Sequence, residues 1–159
     1  MKNRKRGFSL VELLIVLAVI AALIATITPV ALNAIQKAKA TQVAQNLKTL
    51  ASAFENKAYV DGATGIGDLT NLKDLARDIT DKYELYYVTS GGVYTAVVLY
   101  TEADVNTEKV IEALANATTG TTAVTTSWMK ADINGVTTAT NGDIGAADKV
   151  KYEFTFTIY

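Results

Sequence analysis

The sequence predicts an α+β fold. One long N-terminal helix should pack its outer half on an antiparallel sheet, with one or two short helices beside it. Three observations predict this. Phe8 to Leu32 is an apolar run with a single charge, Glu12, long enough to cross a bilayer as a helix. From Asn33 to about Tyr59, Val43, Leu47, Leu50 and Phe54 recur at spacings of four, three and four, the period of one helical stripe. At the C-terminus Val150, Tyr152, Phe154, Phe156 and Ile158 alternate with Lys151, Glu153, Thr155 and Thr157, the period of two of a strand with one buried face.

The totals narrow the chemistry. The 159 residues suffice for one modest domain plus an anchor. Half of them are hydrophobic and mean hydropathy is +0.19, but the apolar residues are concentrated at the N-terminus. There is no histidine and no cysteine. Ser-His-Asp and Cys-His nucleophiles are therefore excluded, as are the usual zinc, haem and iron–sulfur sites and any disulfide framework. Net charge is −1, but Lys2, Arg4, Lys5 and Arg6 crowd the first seven positions; the remainder carries 11 basic against 16 acidic side chains. A body of that sign argues against general nucleic-acid binding.

The basic residues flank the apolar run on its N-terminal side only, so the positive-inside rule puts Met1–Gly7 in the cytoplasm and the body outside. A secretory signal peptide would have a shorter apolar stretch and a small-residue cleavage site, and no clean A-x-A ends this one. A permanent single-span anchor is a second reading. Both leave Glu12 unexplained, because a carboxylate at the centre of a membrane helix costs about 2.5–3.5 kcal/mol, less near an end. A third reading supplies a partner. If the chain is cut between Gly7 and Phe8, the new terminus is a cationic amine on Phe8, and Glu12 is the fifth residue of the product. Glu12 then sits in the positively polarised first turn. In staggered, side-by-side helices it can meet the Phe8 amine of a neighbour.

Lys5-Arg6-Gly7-Phe8-Ser9-Leu10-Val11-Glu12-Leu13-Leu14-Ile15-Val16 resembles the class III leader and N-terminal helix of type IV pilins and the related pseudopilins. The likeness covers roughly residues 1–60, and beyond that only the general architecture carries over. It implies cleavage after Gly7 by a prepilin peptidase on the cytoplasmic side, N-methylation of Phe8 by the same enzyme, and assembly aided by an ATPase and a platform protein in the inner membrane. Pro29 falls where such proteins commonly carry a proline. One departure is plain: many type IV pilins close a C-terminal loop with a disulfide, and this chain has no cysteine.

Within the run, Ala18, Ala22 and Ala21, Ala25 make two small-xxx-small pairs that let helices approach closely, though alanine is also common in any apolar helix. Thr26-Ile27-Thr28-Pro29 is a weak point: Pro29 lacks a backbone donor and clashes with the preceding turn, so a kink or a meltable stretch is expected. Asp61 to Gly67 ends the helix with three glycines.

Leu69, Leu72, Leu75 and Ile79 then mark a short amphipathic helix. Tyr83–Thr89 and Val93–Thr101 read as strands joined in a hairpin across Ser90-Gly91-Gly92. Asp104–Ala117 reads as another helix with Val110, Ile111 and Leu114 inward, and its acidic stripe Asp104, Glu108, Glu112 as a solvated face rather than a catalytic pair. The threonine-rich segment Thr118–Thr126 is a loop or an edge strand. Asn116-Ala117-Thr118 is an N-x-T sequon, an acceptor only if the host uses it. Asp132, Asn134, Asn141, Asp143 and Asp148 lie in a glycine-containing stretch. Close oxygen ligands can hold calcium, with Asp132, Asn134 and Asp143 the candidates, but the twelve-residue EF-hand pattern is missing and such residues more often make turns.

The expected organisation is a removed leader at 1–7, a transmembrane and assembly helix at 8–32, its amphipathic continuation at 33–60 and a globular head at 61–159. The expected function is structural, without catalysis or cofactor. A membrane precursor with a cytoplasmic N-terminus would be drawn from lipid and polymerised with copies of itself into an extracellular filament. Alternatives are a pseudopilin of a secretion or competence system and a membrane-tethered adhesin. A secreted enzyme is disfavoured by the residue inventory.

Overall fold

A computed structural model describes residues 7–62, 66 and 69–159. The chain divides into two compact units, one ending at Gln36 and the other running from Lys37 to Tyr159. Helix α1 spans Leu10–Asp61 and continues through Pro29.

In the first unit every described residue from Gly7 to Gln36 is exposed. Apart from Phe8, the exposed large hydrophobic side chains of this unit are Leu, Ile and Val. A contiguous apolar surface of that size needs a non-aqueous or protein environment. α1 is the one helix among the described residues long and apolar enough to cross a membrane.

In the second unit the helix becomes one-sided. Val43, Leu47, Leu50 and Phe54 are buried, as the stripe predicted, and so are Ala40, Ala44, Ala51 and Ala58. The alanines were not singled out in the sequence; their small side chains let the helix sit close on the sheet. The sheet is wholly antiparallel. Its strands are β1 (Tyr83–Ser90), β2 (Val93–Tyr100), β3 (Ala117–Val124), β4 (Met129–Ala131), β5 (Val136–Thr138) and β6 (Gly142–Thr157), in the order β3-β6-β2-β1-β4-β5. Hairpin β1–β2 turns through Gly91 and Gly92 at φ 58 and 82, the paired positive values of a two-residue hairpin loop that only glycine takes readily.

One core lies between α1 and the sheet. Phe54 is its centre, with ring centroids 5.0 Å from Tyr87, 6.1 Å from Tyr94, 6.3 Å from Phe154 and 6.1 Å from Phe156. Alternate residues of the same strands point the other way. There Tyr86, Val97, Leu99, Val124 and Ala139 form a smaller core with Trp128 and Ile144, so the central strands are covered on both faces.

Four expectations need correction. The helix expected over Leu69–Ile79 is a single 3-10 turn, Leu72–Asp74. Polar side chains compete with helical bonding here: Asp74 accepts from the Thr70 and Asn71 amides at 2.7 and 3.1 Å, and Asn71 accepts from the Lys73 amide at 2.8 Å. Leu69, Leu72 and Ile79 are buried all the same.

The second helix, α2, covers only Thr107–Ala113. Asn106 caps it by accepting from the Lys109 amide at 3.1 Å. Asp104 precedes the helix and pairs with Lys39 and Lys82 at 2.7 and 3.3 Å, so only Glu108 and Glu112 of the acidic stripe are helical, though all three are exposed. At the far end the chain turns extended at Leu114, and Ala117 pairs opposite Tyr152.

The C-terminal strand is longer than its alternating segment, starting at Gly142. Its first half pairs with β3, which is an edge strand. Finally, Lys151, placed on the solvent face by alternation, is 5% exposed. Its ammonium donates to the Thr121 carbonyl at 2.9 Å and to the Thr122 hydroxyl, and pairs with Glu153 at 2.9 Å.

Candidate assembly site at the N-terminus

The site of interest is where the apolar run begins. Gly7, Phe8 and Ser9 are exposed and non-helical, and α1 starts at Leu10. The start is fixed by two side chains. The Ser9 hydroxyl accepts from the Val11 amide at 3.3 Å, and the Glu12 carboxylate accepts from the Ser9 amide through Oε2 at 2.9 Å. The Ser9 carbonyl takes the first helical bond, from the Leu13 amide at 3.2 Å. This is a reciprocal cap, in which a Ser and a Glu three residues on satisfy amides that the helix leaves orphaned. The Ser9-x-x-Glu12 spacing was the signal that could have found it. Glu12 is the one charged side chain from Phe8 to Gln36. Gly7, Phe8, Ser9 and Glu12 line one surface recess.

The structure thus brings together three residues singled out in the sequence, Gly7, Phe8 and Glu12. The basic residues before Gly7 lie outside the described part. Pro29 is elsewhere, inside the helix. It leaves the Ala25 carbonyl without its usual donor, and near that gap Thr26 and Thr28 donate to the carbonyls of Leu23 and Ile24 at 2.9 and 2.7 Å.

The remaining candidates lie in the second unit and are separate. Asn116 is exposed in the turn before β3. Asp132 accepts from the amides of Asn134 and Gly135 at 2.7 and 3.1 Å and pairs with Lys130 at 3.5 Å. Its burial pulls its pKa up, but those two amides and Lys130 outweigh this and hold the carboxyl below the usual range. Asn141 caps the Thr126 amide at 2.8 Å. Asp143 lies on β6 opposite Ala123. Among the described residues no group of three His, Cys, Asp or Glu side chains is placed to hold a metal ion.

Residues 2–28 match the family model described as the prokaryotic N-terminal methylation motif. No curated protein and no solved structure matches the chain. The matched span contains the basic start, Gly7-Phe8, the Ser9–Glu12 cap and most of the exposed apolar helix. The chain carries the prokaryotic N-terminal methylation motif, the class III prepilin leader shared by type IV pilins and pseudopilins.

Proposed function

We propose that the chain is a pilin: a structural subunit that polymerises through its N-terminal helix into a type IV pilus. In this reading residues 1–7 are a leader that prepilin peptidase removes between Gly7 and Phe8, and the amine of Phe8 is then methylated. Residues 8–32 hold the precursor in the bilayer and later pack in the filament. Residues 33–60 continue the helix into the head, which is residues 61–159. Pro29 marks the place where the helix gives way under load. The leader implies processing by a prepilin peptidase and assembly into filaments. An ATPase and a platform protein are the partners proposed to extract the helix, since no nucleotide motif is present in the chain.

One observation carries the reading: Glu12, alone among apolar residues, stands five positions into the product of a cut before Phe8. An unpaired carboxylate in lipid is unfavourable. A cationic Phe8 amine on a staggered neighbour neutralises it, and the pair sets the register between subunits. The helices must also gain from one another the contacts they lose on leaving lipid, since apolar burial is worth about 25 cal/mol per Å² in either setting.

The test is a Glu12→Ala variant in cells that express the full chain. Head folding should be unchanged and the yield of sheared surface filaments should fall. Filaments of normal yield in that variant would remove the assembly role. Electron microscopy of the unsubstituted chain separates a surface pilus from the short assembly of a pseudopilin, and a tethered monomer from both.

A further inference from the structure

We propose that Ser9 is a positioning residue for the intersubunit ion pair, holding the Glu12 carboxylate ready for the neighbouring amine. The inference rests on the filament reading above. Glu12 uses only Oε2 in the cap, at 2.9 Å from the Ser9 amide. Among the described residues Oε1 makes no hydrogen bond or ion pair. The cap uses the amide of Ser9, not that of Phe8, so cleavage between Gly7 and Phe8 leaves both of its hydrogen bonds intact. The Ser9 hydroxyl, on the Val11 amide at 3.3 Å, keeps Ser9 outside the helix and its amide turned toward Glu12. Among the described residues the carboxylate is thus held at one oxygen by its own chain and has no partner at the other.

A long, flexible glutamate would otherwise lose side-chain freedom on pairing. Pre-ordering removes part of that cost before the neighbour arrives. The same cap keeps the carboxylate hydrogen-bonded in lipid, where an unsatisfied polar group is most unfavourable. The cation that completes the site is an α-ammonium of a second copy of this chain.

The experiment compares Ser9→Ala, Ser9→Thr and Glu12→Ala in cells expressing the full chain. Filament yield and the N-terminal mass of the membrane pool are read in each. Ser9→Ala should be trimmed normally yet give filament yields lower by about fivefold, the scale of losing one N-cap. Ser9→Thr, which keeps the hydroxyl, should restore them. A wild-type yield in Ser9→Ala, with Glu12→Ala still defective, overturns the role of Ser9 and leaves the filament reading standing. Untrimmed Ser9→Ala precursor also overturns it, because Ser9 would then act on the peptidase. If the unsubstituted chain forms no filaments, both fall together.

Discussion

At the scale of single residues, two charges are held where the surroundings oppose them, each for a physical reason. Glu12 lies at the mouth of an apolar helix and is tied to the Ser9 amide at 2.9 Å. The residue that should control its later partner is Gly7, since the amine of Phe8 exists only after the cut. A Gly7→Leu variant should therefore accumulate as uncut precursor in the membrane fraction, seen as a heavier band; fully trimmed protein would count against the proposed cut. Lys151 is the second case. Its ammonium links β6 to Thr121 and Thr122 of the edge strand β3. Desolvation works against charge on Glu153 beside it, but the Thr122 hydroxyl and Lys151 outweigh this and keep that carboxyl below the usual range. Removing the ammonium leaves the Thr121 carbonyl short of a donor. Lys151→Ala should destabilise the full chain in detergent by about 1–3 kcal/mol. Hydrogen exchange should speed up across Ala117–Val124 more than in β1.

At the scale of elements, the strand and helix periods were legible and the interruptions were not. The stripe Val43, Leu47, Leu50, Phe54 and the Gly91-Gly92 hairpin needed only local pattern. The expected helix at 69–79 failed because its leucines do face the core, but the Asn71 and Asp74 side chains accept from nearby amides, the Thr70 hydroxyl donates to Asp74, and the helix stops after one turn. Lys151 was misplaced because alternation tells which face a side chain takes, not what covers that face.

The β3–β6 register could not be read either. Thr119 pairs with Val150 but Gly120 with Ala146, so residues 147–149 of β6 bulge out. The bulge is tolerated because Gly145 has φ 83 and a side chain there would lie 2.6 Å from the Gly120 carbonyl oxygen. Gly145→Ala should cost about 1–3 kcal/mol, measurable by thermal unfolding.

Asp104 joins the β2–α2 connection to α1. It pairs with Lys39 and Lys82, and Tyr100 donates to it at 2.7 Å. Lys39, and then Tyr100, hold its carboxyl far below the ordinary range. A depressed folded pKa means that the contribution to stability is complete above the unfolded value of about 3.9 and is lost as pH falls below it. The stability difference between the native chain and Asp104→Asn should therefore be flat from neutral pH down to about 4 and shrink only below that. Asp104 is well exposed, so the difference should stay within about 1 kcal/mol.

At the scale of the whole molecule, the two units ask for different surroundings. The second has its own core and, without cysteine, holds by packing alone. Phe54 is fully buried among four aromatic rings, so Phe54→Ala should lower stability by about 3–5 kcal/mol. The first unit exposes Leu, Ile and Val on every side and fits a membrane-anchored precursor. Its charge pattern is what makes polymerisation the proposed end state: basic residues before Gly7, then one acid, then none through Gln36.

The most direct test of that account is the intact mass of the N-terminal peptide from the native, membrane-expressed protein. The account predicts a polypeptide beginning at Phe8 and carrying one added methyl group on its amine. A polypeptide that retains residues before Phe8 would leave Glu12 with no neighbouring α-ammonium and would contradict it.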